Sequence, residues 1–348
     1  MKNKIIECVP NISEGSNSSI INTIANEIKS VKGIKLINID SGEAANRTVF
    51  TFLGEPENVV KAAFKLIKKT SELIDMSIQK GEHPRFGATD VCPLIPISNI
   101  SIEETIEYAN NLGKKVGNEL EIPVYLYESS ATSKERINLA NCRAGEYEGL
   151  ANKMLIPKWK PDFGPSIFNE SVKKTGAIAI GARKILIAYN INLNTSSKKI
   201  AHQIASELRE SGKIKRDENG FKVLDKKGKT IRIPGKLKAL KGIGWYIEDF
   251  KKAQVSYNLT DIDITPLHIV FEETVKTAKK FGVKVTGSEL IGLIPLQSMI
   301  DTADYFLKKE NQSINISEKD KINYSINKLG LNELKSFNPE KNIIDYNL

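Results

Sequence analysis

Apolar positions along the chain repeat with two periods, and the periods alternate in an order that occurs twice. In the first half, Ile5 to Val9 reads as a strand, and Ser18 to Ser30 predicts a helix with apolar residues at 20, 21, 24, 25 and 28. Ile34 to Ile39 is a strand, and an Asp40-Ser41-Gly42 turn separates it from another over Asn46 to Leu53. A helix follows from Glu57 to about Met76, opened by Pro56 and apolar on one face at Val59, Val60, Ala63, Phe64 and Ile67. Cys92 to Ile97 resumes the extended pattern. In the second half, Ile185 to Ala188 is a strand, Ser197 to Arg209 a helix, Ile243 to Ile247 and Gln254 to Leu259 strands, Pro266 to Lys280 a helix and Val283 to Val285 a strand.

Each half thus spells β-α-β-β-α-β, the order of the ferredoxin-like unit, in which right-handed crossovers put both helices on one face of an antiparallel sheet. The predicted class is α/β (α+β): two ferredoxin-like subdomains. Each leaves a sheet face bare, so the two bare faces are expected to lie against each other or to frame a shared ligand crevice. Ser101 to Leu120, an amphipathic helix, and Val124 to Tyr127, a short strand, are additions to the first unit. Pro157 to Ser171, with three prolines and Gly164, is the expected connector. The expected divisions are residues 1–176, 177–308 and a loosely attached polar tail over 309–348.

Composition adds exclusions. With 348 residues, 40% apolar and 27% charged, the chain has the make-up of a globular protein of two domains. No stretch approaches the roughly 18 uninterrupted apolar residues of a spanning helix, and the first residues lack the apolar core of a signal peptide, so no membrane partner and a cytoplasmic location are expected. Cys8, Cys92 and Cys142 are scattered and form no C-x-x-C pair, which predicts reduced, buried thiols. His83, His202 and His268 lack metal-ligand spacing, and no metal is expected. The net charge of +9 is concentrated: Lys and Arg exceed Asp and Glu by eight between Arg209 and Lys241, in a stretch punctuated by Asn219-Gly220 and Lys227-Gly228. A solvated, inserted hairpin accounts for it better than nucleic-acid binding does.

Candidate chemistry concentrates in Gly81-Glu82-His83-Pro84-Arg85-Phe86-Gly87, a loop between a helix and a strand. His83 is the one histidine outside a predicted helix, and Pro84 biases it toward an extended backbone that holds the imidazole in one direction. Such an imidazole can accept and return a proton near neutrality, with Glu82 and Arg85 available to tune it; a histidine that merely caps the loop is the alternative. Asp40 and Arg47 flank the first hairpin turn, where Asn46-Arg47-Thr48 could hold a carboxylate or be an exposed hairpin charge. Arg183 opens the second unit. Asn190 and Asn192 share one strand face at period two, which suits a polar crevice rather than packed core.

Several fragments in order resemble the formiminotransferase domain family over approximately residues 4 to 308. They are Glu7-Cys8-Val9-Pro10-Asn11-x-Ser13-Glu14-Gly15, Asn46-Arg47-Thr48, and His83-Pro84-Arg85-x-Gly87-x-x-Asp90-Val91-Cys92-Pro93. The likeness continues through Arg143-Ala144-Gly145-Glu146-Tyr147-Glu148, Pro161-Asp162-Phe163-Gly164-Pro165, Gly181-Ala182-Arg183-Lys184, Gly242-Ile243-Gly244-Trp245-Tyr246 and Gly287-Ser288-Glu289-Leu290.

The resemblance implies folate held in a groove between two α/β subdomains, a catalytic histidine corresponding to His83, and a folate-contacting segment corresponding to Gly164, Pro165, Ser166, Ile167, Phe168 and Gly176. The implied reaction moves a formimino group from N-formimino-L-glutamate to position 5 of tetrahydrofolate, the co-substrate. Carboxylates would be bound by Arg47, Arg85 or Arg183, with Asp40, Asn190 and Asn192 as further substrate-binding candidates. With Leu348 as the last residue, a separate cyclodeaminase is expected to process the product, and the enzyme is expected to be a homodimer. Formyl transfer from a related donor and a non-catalytic folate-binding protein are the alternatives. An RNA-recognition module shares the β-α-β-β-α-β order, but no segment carries its aromatic octamer, so no nucleic-acid partner is expected.

Overall fold

The computed structural model describes residues 3–43, 45–81, 83–226, 228–248 and 250–348. The chain divides into two compact units, Met1–Lys184 and Ile185–Leu348.

The first unit opens with β1 (Ile5–Cys8) and β2 (Asn11–Ile12), which act as one interrupted strand. Each pairs antiparallel with β4 (Arg47–Gly54) on one side and β5 (Thr89–Ser98) on the other. With β3 (Lys35–Gly42) antiparallel on β4, these strands make the predicted ferredoxin-like sheet. Two strands extend it in parallel: β7 (Ile178–Ala182) against β5, and β6 (Val124–Leu126) against β7. Helix α1 (Ser18–Lys29) begins where the Asn17 side chain accepts from the amides of Ser19 and Ile20. Helix α2 (Pro56–Leu73) has proline in its first turn, and α3 (Ile102–Leu120) starts with a Ser101/Glu104 capping box. All three lay their apolar stripes on one sheet face, burying Ile24, Leu66 and Leu112 with Ile6, Phe50, Cys92 and Ile180. Each such side chain contributes about 1.5–3 kcal/mol relative to exposure. Against the opposite face of β5, β6 and β7 lies a separate cluster, in which Val91, Tyr125 and Ala179 meet Leu150, Met154 and Val172 from the segment that carries α4 (Leu139–Arg143), α5 (Leu150–Met154) and α6 (Glu170–Thr175).

The expected boundary near residue 176 moves to Lys184. β7 reads locally as the first strand of a new unit, but its parallel partners β5 and β6 both precede it, so it completes the first sheet. Cys8, Cys92 and Cys142 are free and buried, as anticipated.

The second unit contains β8 (Ile187–Leu193), α7 (Lys198–Leu208), a basic ribbon with β9 (Lys213–Ile214) and β10 (Arg232–Ile233), then β11 (Leu240–Ile247), β12 (Lys252–Leu259), α8 (Leu267–Lys280) and β13 (Val285–Ile291). Its sheet order, β11-β12-β8-β13, is antiparallel throughout and again ferredoxin-like. The last strand runs six residues past its expected end at Val285.

Where a loose tail was expected after Lys308, α9 (Leu296–Lys309) is followed by α10 (Glu318–Leu329) and the short α11 (Pro339–Asn342). Ile322, Ile326, Leu329, Leu331 and Ile343 are buried in the core of this unit. The backbone amide of Ser288 on β13 donates to the Gly330 carbonyl, and the Ser288 hydroxyl to Leu329. A polar average concealed an i, i+4, i+7 apolar stripe. Leu329→Ala should therefore lower unfolding stability by about 2–5 kcal/mol in denaturant titration, whereas a loosely attached segment would register less than about 0.5 kcal/mol.

Candidate functional site

The loop between α2 and β5 carries His83, and neighbouring segments fasten it along its length. The Asn46 amide donates to the Lys80 carbonyl at 2.6 Å, the Ser13 hydroxyl to the Gly87 carbonyl at 2.8 Å, and the Tyr147 amide to the Arg85 carbonyl at 2.9 Å. The Arg85 guanidinium forks onto Glu148 at 2.8 and 3.0 Å and donates to both oxygens of Gln79 at 2.9 and 3.2 Å. It is a strut that ties the loop to the segment after α4. Glu82, expected to tune the imidazole, lies outside the described residues.

His83 is partly buried, with Nδ1 2.7 Å from the carbonyl oxygen of Pro84. A carbonyl can only accept, so Nδ1 carries the hydrogen and Nε2 keeps its lone pair. Burial, then the positive charge of Arg47, hold the imidazole down at about 4, against 6.5 for the free group; Arg143 pushes the same way, and the Pro84 contact and Asp90 oppose. At neutral pH the side chain is an uncharged base whose lone pair is on Nε2.

Beside it stands an ionic cluster of which the sequence reading picked out only Arg47. Asp90, at the start of β5, is fully buried. Its carboxylate receives the Phe86 amide at 3.1 Å, Arg143 Nε at 3.2 Å and Nη2 at 2.6 Å, and Arg47 Nη1 at 2.8 Å. Arg47 Nε donates to the Asn11 side chain at 3.0 Å. Burial lowers the proton affinity of Arg47, while Asp90 pulls it the other way.

The segment holding Gly164, Pro165, Ser166, Ile167 and Phe168 is anchored at both ends. Before it, Asp162 accepts from the Leu126 amide at 2.8 Å and pairs with Arg136; after it, Asn169 caps α6 through the Val172 amide. Its middle is open, with Ile167 74% exposed, and Phe168 lies 6.4 Å from the Tyr147 ring. At its far end, Gly176 meets Gly87 of the histidine loop: the Ala177 amide donates to Phe86 and the Ala88 amide to Thr175, both at 2.8 Å. A Cβ on Gly87 would sit 1.9 Å from the Ala177 oxygen, and Gly176 has φ of +65°, so both positions require glycine. The fold thus brings His83, Arg47 and Gly176 into one connected neighbourhood.

The other candidates have their own surroundings. Asp40 is exposed on the edge strand β3. Arg183 follows β7 and acts on Glu7, a buried β1 carboxylate that burial raises to about 7 and Arg183 draws down. Asn190 and Asn192 belong to the second unit: Asn192 donates to Glu333 at 2.6 Å and receives Gln254 at 2.7 Å, and Asn190 faces Glu289 at 3.5 Å.

Residues 5–183 match the family described as the formiminotransferase domain, N-terminal subdomain, and residues 188–348 match the formiminotransferase domain. The chain belongs to the formiminotransferase family. It is 45% identical over 343 residues to a formimidoyltransferase-cyclodeaminase of Gallus gallus, covering 99% of this chain and 60% of that relative's length. It is also 41% identical over 308 residues to a glutamate formimidoyltransferase of Streptococcus pyogenes serotype M1, covering 88% of this chain and 95% of the relative. A glutamate formimidoyltransferase of Thermoplasma acidophilum is 40% identical over 306 residues, 87% of this chain and 92% of that one. The family likeness runs through residue 348, beyond the limit near 308 that the sequence fragments suggested.

The low proton affinity of His83 carries a stability signature. Between pH 6.5 and about 4 the unfolded chain binds the imidazole proton and the folded chain resists it, so this contribution is complete above pH 6.5 and is lost as pH falls toward 4. His83→Gln should lose less stability than wild type between pH 7 and pH 5 in thermal melts, and NMR should place the His83 midpoint near 4 with hydrogen on Nδ1.

Proposed function

We propose that the protein transfers the formimino group of N-formimino-L-glutamate to N5 of tetrahydrofolate, releasing glutamate, with His83 as the proton carrier. The observation that carries this reading is the His83 imidazole itself: it is uncharged at neutral pH, and its Nδ1 is spent on Pro84, which leaves Nε2 as the basic nitrogen beside an arginine cluster suited to a carboxylate. The names of the Streptococcus and Thermoplasma relatives support the same transfer.

In the reaction the N5 lone pair attacks the formimino carbon, and a tetrahedral centre forms. His83 Nε2 takes the proton that N5 must lose and returns it to the glutamate nitrogen as the carbon–nitrogen bond to glutamate breaks. No net proton is consumed. Gly164 to Phe168 and Gly176 form the folate-contacting strip, where open backbone and the Phe168 ring suit a flat pterin. Arg47 is the substrate-binding arginine of the reading. Arg85 serves it indirectly, by bracing the loop. A cytoplasmic enzyme whose product passes to a cyclodeaminase activity completes the proposal.

His83→Ala should lower kcat by about 10² to 10⁴ while changing the Kd for a reduced folate by less than about threefold, read by calorimetry and a donor assay. Undiminished turnover in that variant would remove the imidazole from the mechanism. Wild-type turnover with a formyl donor but not with formiminoglutamate would reassign the transferred group.

A further inference from the structure

Two guanidinium groups converge on one buried carboxylate in the first unit, which leaves the cluster, among the described residues, with one positive charge in excess. Arg47, from β4, is only 8% exposed, and Asp90, from β5, is fully buried. Arg143, from α4, spends Nε and Nη2 on Asp90. Arg47 Nη1 and Arg143 Nη2 both pair with Asp90 Oδ2, at 2.8 and 2.6 Å. Among the described residues, Arg47 Nη2 and Arg143 Nη1 have no hydrogen-bond or ion-pair partner. Buried cations with unspent donors, held by Asn11 and Asp90 on rigid elements, make an anion site in waiting.

We propose that Arg47 and Arg143, both held on Asp90, seat the α-carboxylate of the formimino donor, and that occupancy of this seat readies His83 for proton transfer. The assignment rests on the transferase reading above and extends it to Arg143 as a binding residue and Asp90 as a positioning residue. The α-carboxylate is chosen on connectivity: it sits on the carbon that bears the reacting nitrogen, so a seat beside the proton carrier reaches it rather than the γ-carboxylate. Among the described residues, the charged groups acting on His83 are Arg47 from β4, Arg143 from α4 and Asp90 from β5. An arriving carboxylate cancels the excess charge, and with it the field that opposes protonation of the imidazole. An empty site thus keeps a weak base, and a loaded site a stronger one.

Two measurements test the seat. The first compares wild type with Arg143→Gln on N-formimino-L-glutamate and on N-formimino-4-aminobutanoate, which lacks only the α-carboxylate. The loss in kcat/KM caused by the variant should be about 10- to 100-fold larger with the first donor than with the second. Equal losses with both donors, or no loss with the first, would overturn the seat. The second measurement uses wild type alone and so does not depend on a variant folding. Saturating L-glutamate should raise the His83 NMR titration midpoint by about one pH unit, a tenfold gain in proton affinity; an unmoved midpoint at saturation overturns the coupling. An inactive His83→Ala beside an Arg143→Gln without donor discrimination sinks the seat and leaves the transferase reading standing.

Discussion

Burying the Asp90 carboxylate is the most demanding act of this fold near the candidate site. An unpaired carboxylate out of water costs several kcal/mol, so the start of β5 can close over it only if cations and amides arrive as well. They come from three places: Arg47 on β4, Arg143 at the end of α4, and the Phe86 amide in the histidine loop. One side chain therefore couples the register of the sheet, the docking of the segment after β6 and the path of the loop that presents His83. Arg85 repeats the device a few residues away, joining the same loop to Glu148.

Much of the architecture was legible because burial imposes periods on a sequence. The alternation of strands and the 3.6-residue stripes of α1, α2, α7 and α8 are consequences of having one face inside, and they survive without knowledge of partners. What failed to show was pairing at a distance. β7 looks like any short apolar strand, and only its parallel bonds to β5 and β6 reveal that it closes the first sheet. Composition misled at the other end of the chain, where Asn, Lys and Ser surround Ile322, Ile326 and Leu329. The spacing of those three residues was the better guide, since a short helix needs only a narrow apolar edge to dock.

The site was legible in part for the same reason. His83 stands out because glycine, proline and charge crowd its loop. Asp90 and Arg143 do not, being 53 residues apart in sequence and indistinguishable from solvated charges until they meet. Arg47 and Arg85 look alike on paper, yet one guanidinium is consumed by a fork to Glu148 while the other, among the described residues, keeps Nη2 without a partner. Asn190 and Asn192 were visible as a polar pair on one strand face. The network around Asn192 was not, because Gln254 lies 62 residues away and Glu333 lies 141 away.

The backbone contact between Gly87 and Gly176 ties the stretch that bears the imidazole to the stretch that would lie along a pterin. With no side chain between them, the two chains are bonded amide to carbonyl on both sides of the contact, and neither can shift without dragging the other. A ligand that orders one stretch has then already ordered its neighbour, and the loss of freedom on binding is incurred once for both. On the proposed reading, such a junction would let the strip and the imidazole loop meet a ligand as a single unit.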